Sequence, residues 1–325
     1  MKEILRLFPP SFQKVLLEQV DWRRVQEIRL RVDRPIEMIS SSGYSVIESL
    51  SMTADHLSYV LNQISQFSLY RFKDELKEGF ITIEGGHRVG LAGKANTQED
   101  KVETLKHISF MNIRVARSTR GQVSSLLPYL YDDMGWRSVL IIGPPHSGKT
   151  TLLRELACVI GAAAGSYSPS KVAIVDERSE IAASLRGVPQ LDVGTRTDVM
   201  DACPKADGMM MMIRSMSPDV LIVDEIGGER DALAVQEAVY TGVKVICSLH
   251  GNGVESVSRR PSVSQLMHDQ VFERYITLER LRAGSVITWK VYNHLGQVLG
   301  EGEGGRMDGV DRRRHHFNRY NTGRV

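Results

Sequence analysis

The first 120 residues combine two hydrophobic periods. Apolar residues recur at helical spacing over residues 1–27 and again over residues 53–80, which predicts helices in both stretches. Between them, Glu27–Val32 alternates charged with apolar residues, and Ile36–Ile39 and Tyr44–Ile47 follow after turn residues. This alternation predicts strands with one buried face and one polar face.

A hairpin is predicted where Phe80–Glu84 and His87–Gly93 flank the pair Gly85-Gly86. Residues 96–106 are polar and predict a loop, and Ser109–Arg117 alternates again. Helices and half-buried strands are thus interleaved without a repeating order. We therefore predict a small α+β domain over residues 1–120.

From Ser138 onward, continuous apolar runs replace the alternation. Each run is typical of a strand buried on both faces: Val139–Ile142, Val172–Val175, Val220–Val223 and Val245–Leu249. Helical patterns separate the runs: residues 150–164, 206–216 and 230–241. Strands that alternate with helices predict an α/β domain, here residues 121–300, with a mainly parallel sheet. Residues 301–325 are rich in glycine and then arginine, and we predict a disordered basic tail.

The composition narrows the class of protein without identifying it. At 42% hydrophobic and 25% charged residues, with a net charge of +2, the chain is typical of a soluble globular protein. Its three cysteines have no metal-ligand spacing, which predicts reduced thiols in a cytosol and no structural zinc. No apolar segment approaches the roughly 20 residues of a membrane-spanning helix. We expect a cytoplasmic protein that can still associate with a membrane complex.

The first apolar run leads into a glycine-bounded loop and then a helix. The loop reads GPPHSGKT over residues 143–150, which is the G-x-x-x-x-G-K-T pattern of a phosphate-binding P-loop. Glycines allow its N–H groups to turn toward phosphate oxygens, and the helix adds the positive end of its dipole. We predict that the loop binds ATP through these residues: Gly143, Pro144, Pro145, His146, Ser147, Gly148, Lys149, Thr150 and Thr151.

Two acidic pairs come directly after buried runs. Asp224 and Glu225 follow the run VLIV, as in a Walker B strand. We predict that the Thr150 hydroxyl and Asp224 hold Mg²⁺, Asp224 through water. Glu225 is predicted to polarise the attacking water. Asp176 and Glu177 end the run VAIV. That pair either positions water or acts as a base, or it forms a structural ion pair in which Arg178 is the obvious partner.

Polar residues near the same sheet edge complete the set of candidates. His250 comes after a buried run and either senses the terminal phosphate or has a structural role. Arg114, Arg117 and Arg120 precede the P-loop domain. They either form a solvated basic surface or meet nucleotide phosphate, within one chain or across a subunit interface.

Read in order, GPPHSGKT, VDERSEIA, RSMSPDVLIVDEIG and SLHGN resemble the Walker A, aspartate, Walker B and histidine boxes of the type II/type IV secretion ATPases. Over nearly its full length, including EIRLRVDRP and EGGHRVGLAG, the chain resembles the sporulation branch of that family in endospore-forming bacteria. The resemblance implies a RecA-like ATPase that assembles into a homo-oligomeric ring, usually a hexamer. It also implies a place at the cytoplasmic face of a membrane-embedded complex, where hydrolysis energises a channel from mother cell to forespore.

The chain departs from the family pattern at two boxes. The aspartate box of the family has Glu before Asp, whereas Asp176 precedes Glu177 here, and the family's Walker B often has Gly at the position of Asp224. Two alternatives stay open beside the motor: a nucleotide-gated scaffold with little hydrolysis, and a nucleic-acid translocase. The near-neutral charge and the lack of a basic-aromatic stripe argue against the translocase.

Overall fold

A computed structural model of the chain describes residues 2–40, 43–65, 72–98, 101–116, 123–162, 167–280 and 287–304. Two sheets organise these residues. The first has six strands in the order β3-β2-β1-β6-β5-β4, and every pair in it is antiparallel. Its strands are β1 (Val25–Arg31), β2 (Arg34–Ser40), β3 (Gly43–Met52), β4 (Phe80–Ile83), β5 (His87–Gln98) and β6 (Lys101–Arg114).

Four helices accompany the first sheet: α1 (Lys2–Leu5), α2 (Pro10–Gln19), α3 (Ala54–Ser65) and α4 (Lys73–Glu78). They pack on one face of it, where Leu16 and Leu57 share a core with Ile28, Ile36 and Ile113. The alternation along β1 buries Ile28 and Leu30 and turns the intervening charged residues to the other face.

One predicted loop in this region is wrong. Residues 96–106 were predicted to be a loop because they are polar, but β5 extends to Gln98 and β6 begins at Lys101. Ala95 pairs with Leu105 and Asn96 with Thr104. Polar residues suffice here because the backbone ladder supplies the pairing, and Leu105 packs against the edge of the core.

The second sheet has eight strands in the order β11-β10-β12-β13-β9-β14-β15-β16. The pairs from β11 to β14 are parallel, and β15 and β16 add antiparallel pairs at one edge. The strands are β9 (Val139–Gly143), β10 (Val172–Asp176), β11 (Thr197–Asp201), β12 (Val220–Glu225), β13 (Lys244–His250), β14 (Arg274–Arg280), β15 (Ile287–Asn293) and β16 (Val298–Gly304). A two-stranded hairpin, β7 (Tyr131–Asp132) with β8 (Gly135–Trp136), precedes them.

Helices cover both faces of the second sheet, which explains the continuous apolar runs. They are α5 (Leu127–Leu130), α6 (Lys149–Gly161), α7 (Lys205–Met216), α8 (Glu229–Tyr240), α9 (Val254–Ser258) and α10 (Pro261–His268). On one face, α6 packs against Ile141, Ile174 and Ile222. On the other face, α7, α8 and α10 pack against Leu140 and Val223.

Two strands of this sheet were not predicted. β11 is half-exposed and polar at the sheet edge, so it lacks an apolar run. β16 includes Glu301–Gly304, so the prediction of a disordered tail is wrong for those four residues, and residues 305–325 lie outside the described residues. The domain limits at residues 120 and 300 stay predictions. None of the helices in the described part of the chain is both long enough and apolar enough to span a bilayer.

Candidate active site

A cavity of about 680 Å³ opens at the carboxyl ends of β9, β10, β12 and β13. In a parallel sheet this edge is the usual ligand site, because the loops after the strands converge there. One wall is the P-loop, residues 145–151. The other walls carry Gln26, Glu177, Arg178, Glu180, Lys205, Asp224, Glu225, Gly227, Ser248 and His250.

The two glycines of the P-loop are required for different reasons. Gly143 ends β9 where a Cβ would come within 2.4 Å of Ser147 Oγ and 2.9 Å of the Leu278 carbonyl oxygen. Gly148 has φ +94°, a left-handed conformation that strains other residues, and it starts α6. The loop therefore folds tightly back on its own strand before the helix begins.

Lys149 is buried at the start of α6 and points back across the loop. Its Nζ donates to the carbonyl oxygens of Gly143 at 3.0 Å and Pro144 at 2.9 Å, and lies 2.9 Å from His250 Nδ1. Burial lowers the pKa of Lys149, while the negative charges of Glu225, Asp224 and Glu180 oppose that shift. The ammonium group is thus held at the cavity wall by carbonyl groups of the loop itself.

His250 connects the P-loop to the end of β12. An ammonium group can only donate, so His250 Nδ1 accepts from Lys149 and its Nε2 carries the proton. That Nε2 lies 3.1 Å from Glu225 Oε2 and donates to it. The structure therefore brings three predicted residues into one line of contacts, from Lys149 through His250 to Glu225.

Asp224 is nearly buried and has a sparse hydrogen-bond environment. Ser248 Oγ donates to its Oδ1 at 3.4 Å. Burial, followed by the nearby negative charges of Glu180, Asp176 and Glu225, raises the pKa of Asp224 to about 6. A cation beside this carboxylate would relieve both effects.

The residues present fit a magnesium ion that is shared with a phosphate ligand. Among the described residues, no three His, Cys, Asp or Glu side chains are grouped so that they could hold a metal alone. Mg²⁺ commonly uses one or two protein oxygens and completes its shell with water and phosphate. Thr150, in the first turn of α6, and Asp224 both line the cavity and supply such oxygens.

Asp176 has a different environment from the predicted one. It is fully buried, and its carboxylate accepts the N–H groups of Glu180 at 2.8 Å, Ile181 at 3.0 Å and Ala182 at 2.8 Å. Burial raises its pKa, and these hydrogen bonds oppose the shift. Asp176 does not reach the cavity wall, so the geometry gives it a role in holding the next loop and does not favour the predicted catalytic role.

Glu177 does line the cavity, as its predicted catalytic role requires. Its carboxylate contacts Lys205 Nζ at the start of α7. Arg178, the partner in the alternative of a structural ion pair, also faces the cavity. The loop after β10 thus contributes two carboxylates, Glu177 and Glu180, and the cation Arg178 to the same wall.

Of the three predicted arginines, the structure describes Arg114, which is not in the cavity lining. Arg114 is exposed at the end of β6, with its Nε 4.0 Å from Glu27 Oε1, while Arg117 and Arg120 lie outside the described residues. Sequence reasoning missed Gln26, Lys205 and Glu180 as cavity residues. Lys205 comes directly before a predicted helix near the sheet edge and could have been found, whereas nothing around Gln26 signals its position.

Comparison with known proteins decides the family. Residues 1–299 match the family described as "Sporulation stage III, protein AA". The chain belongs to that family. The stage III sporulation protein AA of Bacillus subtilis (strain 168) is 46% identical over 301 residues, which are 92% of this chain and 97% of that protein. The Arabidopsis thaliana protein SEEDLING PLASTID DEVELOPMENT 1 is 26% identical over 81% of this chain, but only 35% of that protein is matched.

Two solved structures share the fold. The Legionella pneumophila ATPase DotB aligns with a TM-score of 0.60 at 17% identity, covering 88% of this chain and 82% of that one. The pilus retraction motor PilT, solved with bound ADP, aligns with a TM-score of 0.60 at 14% identity, covering 87% and 82%. The predicted fold class is confirmed: this family member has a P-loop domain with a mainly parallel sheet, preceded by a smaller α+β domain.

Proposed function

We propose that this sporulation-family protein binds ATP and Mg²⁺ in the cavity and hydrolyses the nucleotide to drive a secretion-like complex. One observation carries the proposal: Lys149, His250 and Glu225 form a continuous line of contacts across a P-loop cavity. A phosphate bound there lies between a cation that neutralises it and a carboxylate that can orient water.

The residues have separate roles in this proposal. The N–H groups of residues 145–151 and the Lys149 ammonium bind phosphate oxygens. Thr150 and Asp224 would hold Mg²⁺, Asp224 through water, and the bound ion would supply positive charge for phosphoryl transfer. Glu225 orients the attacking water and accepts its proton. His250 positions Glu225 and Lys149 relative to each other.

In this proposal the protein hydrolyses ATP at a membrane-embedded complex. The family is a sporulation family, and the fold neighbours include one protein described as an ATPase and one described as a motor. We place the protein at the cytoplasmic face of a membrane-embedded complex, on the mother-cell side, as a homo-oligomeric ring that is a hexamer. Nucleic acid is not part of this proposal.

The test measures ATP hydrolysis and mass in solution together, with and without Mg²⁺, for the wild type and three variants. Lys149→Ala should abolish nucleotide binding and hydrolysis. Glu225→Gln should keep nucleotide binding but lower kcat by about 100-fold or more. Glu229→Gln is the matched control, because Glu229 is an exposed carboxylate four positions further on, outside the cavity lining.

The outcomes separate the proposal from its alternatives. Hydrolysis that needs Lys149 and Glu225 and rises as larger assemblies form supports the motor. Binding without turnover in every assembled state, with Glu225→Gln still functional in sporulating cells, would replace it with a nucleotide-gated scaffold. Stimulation by DNA that falls steeply with salt would favour the translocase.

A further inference from the structure

The cavity wall contributed by the loop after β10 also touches the first sheet. Arg88 on β5 donates from Nη1 to Glu180 Oε1 at 3.1 Å, and its guanidinium lies 3.4 Å from the centroid of the Phe80 ring. Beside this pair, the Gly85 N–H donates to Gln190 Oε1 at 3.2 Å. The turn of the β4–β5 hairpin is therefore docked on the loop after β10.

That loop is also hydrogen-bonded to residues of the second sheet and of α6. Asp176 accepts the Glu180 N–H, and Arg154 on α6 donates to the carbonyl oxygens of Glu180, at 2.8 Å, and Ile181. Arg154 lies on α6, the helix that follows the P-loop. Glu180 is thus held by its backbone at the cavity, while its carboxylate pairs with a residue of the other sheet.

The charges of the cavity lining do not balance without that pair. The lining carries four carboxylates, Glu177, Glu180, Asp224 and Glu225, against three cations, Lys149, Arg178 and Lys205. Arg88 is not part of the lining, yet it supplies the cation that neutralises Glu180. If the hairpin moves away, Glu180 loses its ion-pair partner and adds to the net negative charge beside a site for phosphate.

We infer that Arg88 sets nucleotide affinity from outside the cavity: the docked hairpin neutralises Glu180 and permits tight binding, and undocking weakens it. This inference rests on the proposed function, because it needs a polyanionic nucleotide in the cavity. Linkage makes the effect reciprocal, so nucleotide binding strengthens the docking of the hairpin by the same factor. Arg88 is a positioning residue, since it acts through Glu180 and touches no ligand.

A double-mutant cycle on the full chain tests whether Arg88 acts on nucleotide affinity through Glu180. The dissociation constant of ADP–Mg²⁺ is measured by calorimetry for the wild type, Arg88→Ala, Glu180→Gln and the double variant. Arg88→Ala should weaken binding about fivefold, from repulsion between the bare carboxylate and phosphate. Glu180→Gln should bind no more weakly than the wild type, and the double variant should match Glu180→Gln. Arg88→Lys, which keeps the charge, should recover most of the loss.

The controls use an ion pair inside the first sheet. Arg31 on β1 pairs with Glu37 on β2, away from the cavity lining, so Arg31→Ala should leave the dissociation constant unchanged. A fivefold loss that persists when Arg88→Ala is combined with Glu180→Gln would overturn the inference, as would an Arg88→Ala variant that binds like the wild type. A wild-type protein that binds neither ADP–Mg²⁺ nor ATP–Mg²⁺ would overturn the proposed function itself.

Hydrogen exchange at the Gly85 amide gives a second readout that needs no turnover. ADP–Mg²⁺ should slow exchange at this amide in the wild type, because nucleotide strengthens docking, and the slowing should be lost in Arg88→Ala. Faster exchange with nucleotide in the wild type would reverse the sign of the coupling and contradict the inference.

Discussion

Strands β10 and β12 lie side by side and have similar sequences at their carboxyl ends. The segments are VAIVDE over residues 172–177 and VLIVDE over residues 220–225. Both aspartates are nearly buried, and burial raises the pKa of each. Asp176 accepts three backbone N–H groups, whereas Asp224 receives one long hydrogen bond from Ser248 and faces the cavity. Similar segments on adjacent strands thus have different environments.

The path of the backbone beyond each strand causes the difference. After β10 the chain turns through Ser179, which has φ +51°, and three successive N–H groups point back at Asp176. After β12, the N–H groups of Gly227 and Gly228 donate instead to Asp231 at 2.9 and 3.2 Å. Within the described residues, Asp224 therefore has fewer donors than Asp176, and its charge is available to a cation.

The largest expected effect is a difference in the free energy of unfolding between alanine variants of the two aspartates. Asp176→Ala leaves three buried N–H groups without an acceptor, and should lower the free energy of unfolding by about 3 kcal/mol or more. Asp224→Ala removes a poorly solvated charge and should change it by less than about 1 kcal/mol. Urea unfolding monitored by circular dichroism measures both. Equal losses in the two variants would mean that the strand ends are equivalent.

Hydrolysis should depend strongly on the charge of Asp224, which contributes little to stability. Asp224→Asn keeps the shape of the side chain but removes the charge that would hold Mg²⁺, so kcat should fall about 100-fold while the fold persists. The Mg²⁺ concentration for half-maximal rate should rise as well. Asp198→Asn, an exposed aspartate on the edge strand β11, is the control and should keep full activity. An unchanged rate in Asp224→Asn would remove Asp224 from the metal site.

The pH dependence of stability should show the smallest difference. The pKa of Asp224 is about 6 in the folded state against 3.8 as the ordinary value, so the folded protein binds this proton more tightly than the unfolded chain. Stability from Asp224 is therefore present at low pH and lost as pH rises through about 6. Between about pH 5 and pH 7 the wild type should lose about 1 kcal/mol more than Asp224→Asn.

Urea unfolding at several pH values, without nucleotide, measures this difference. Asp176 is present in both proteins, so it enters the comparison only through its charge interaction with Asp224. Parallel pH profiles for the two proteins would contradict the burial that distinguishes Asp224 from an ordinary exposed carboxylate.

Much of the second sheet can be predicted from the sequence because its strands are buried on both faces. Short continuous apolar runs such as Val139–Ile142 and Val220–Val223 are typical of strands that helices cover on both faces. The P-loop is equally readable, since Gly143 and Gly148 are fixed by sterics and backbone conformation. The edge strand β11 escapes because its residues are half-exposed, so its sequence resembles that of a loop.

The remaining parts of the candidate site could not be read from local pattern. Gln26 and Glu180 reach the cavity only because a strand of the first sheet and a loop of the second meet there. Asp176 and Asp224 have the same flanking pattern, and only the path of the backbone after them distinguishes the two. Sequence periodicity predicts which face of a helix or strand is buried. It does not predict which hydrogen-bond donors from other parts of the chain lie next to a side chain.

The position of β9 between β13 and β14 has a consequence for synthesis on the ribosome. The strand that carries the P-loop emerges early, but its two neighbours begin only at Lys244 and Arg274. Until those segments leave the exit tunnel, the apolar run Val139–Ile142 lacks both hydrogen-bonding partners, while the strands of the first sheet have already emerged. A nascent chain stalled in this interval exposes a strand edge that attracts chaperones or other chains.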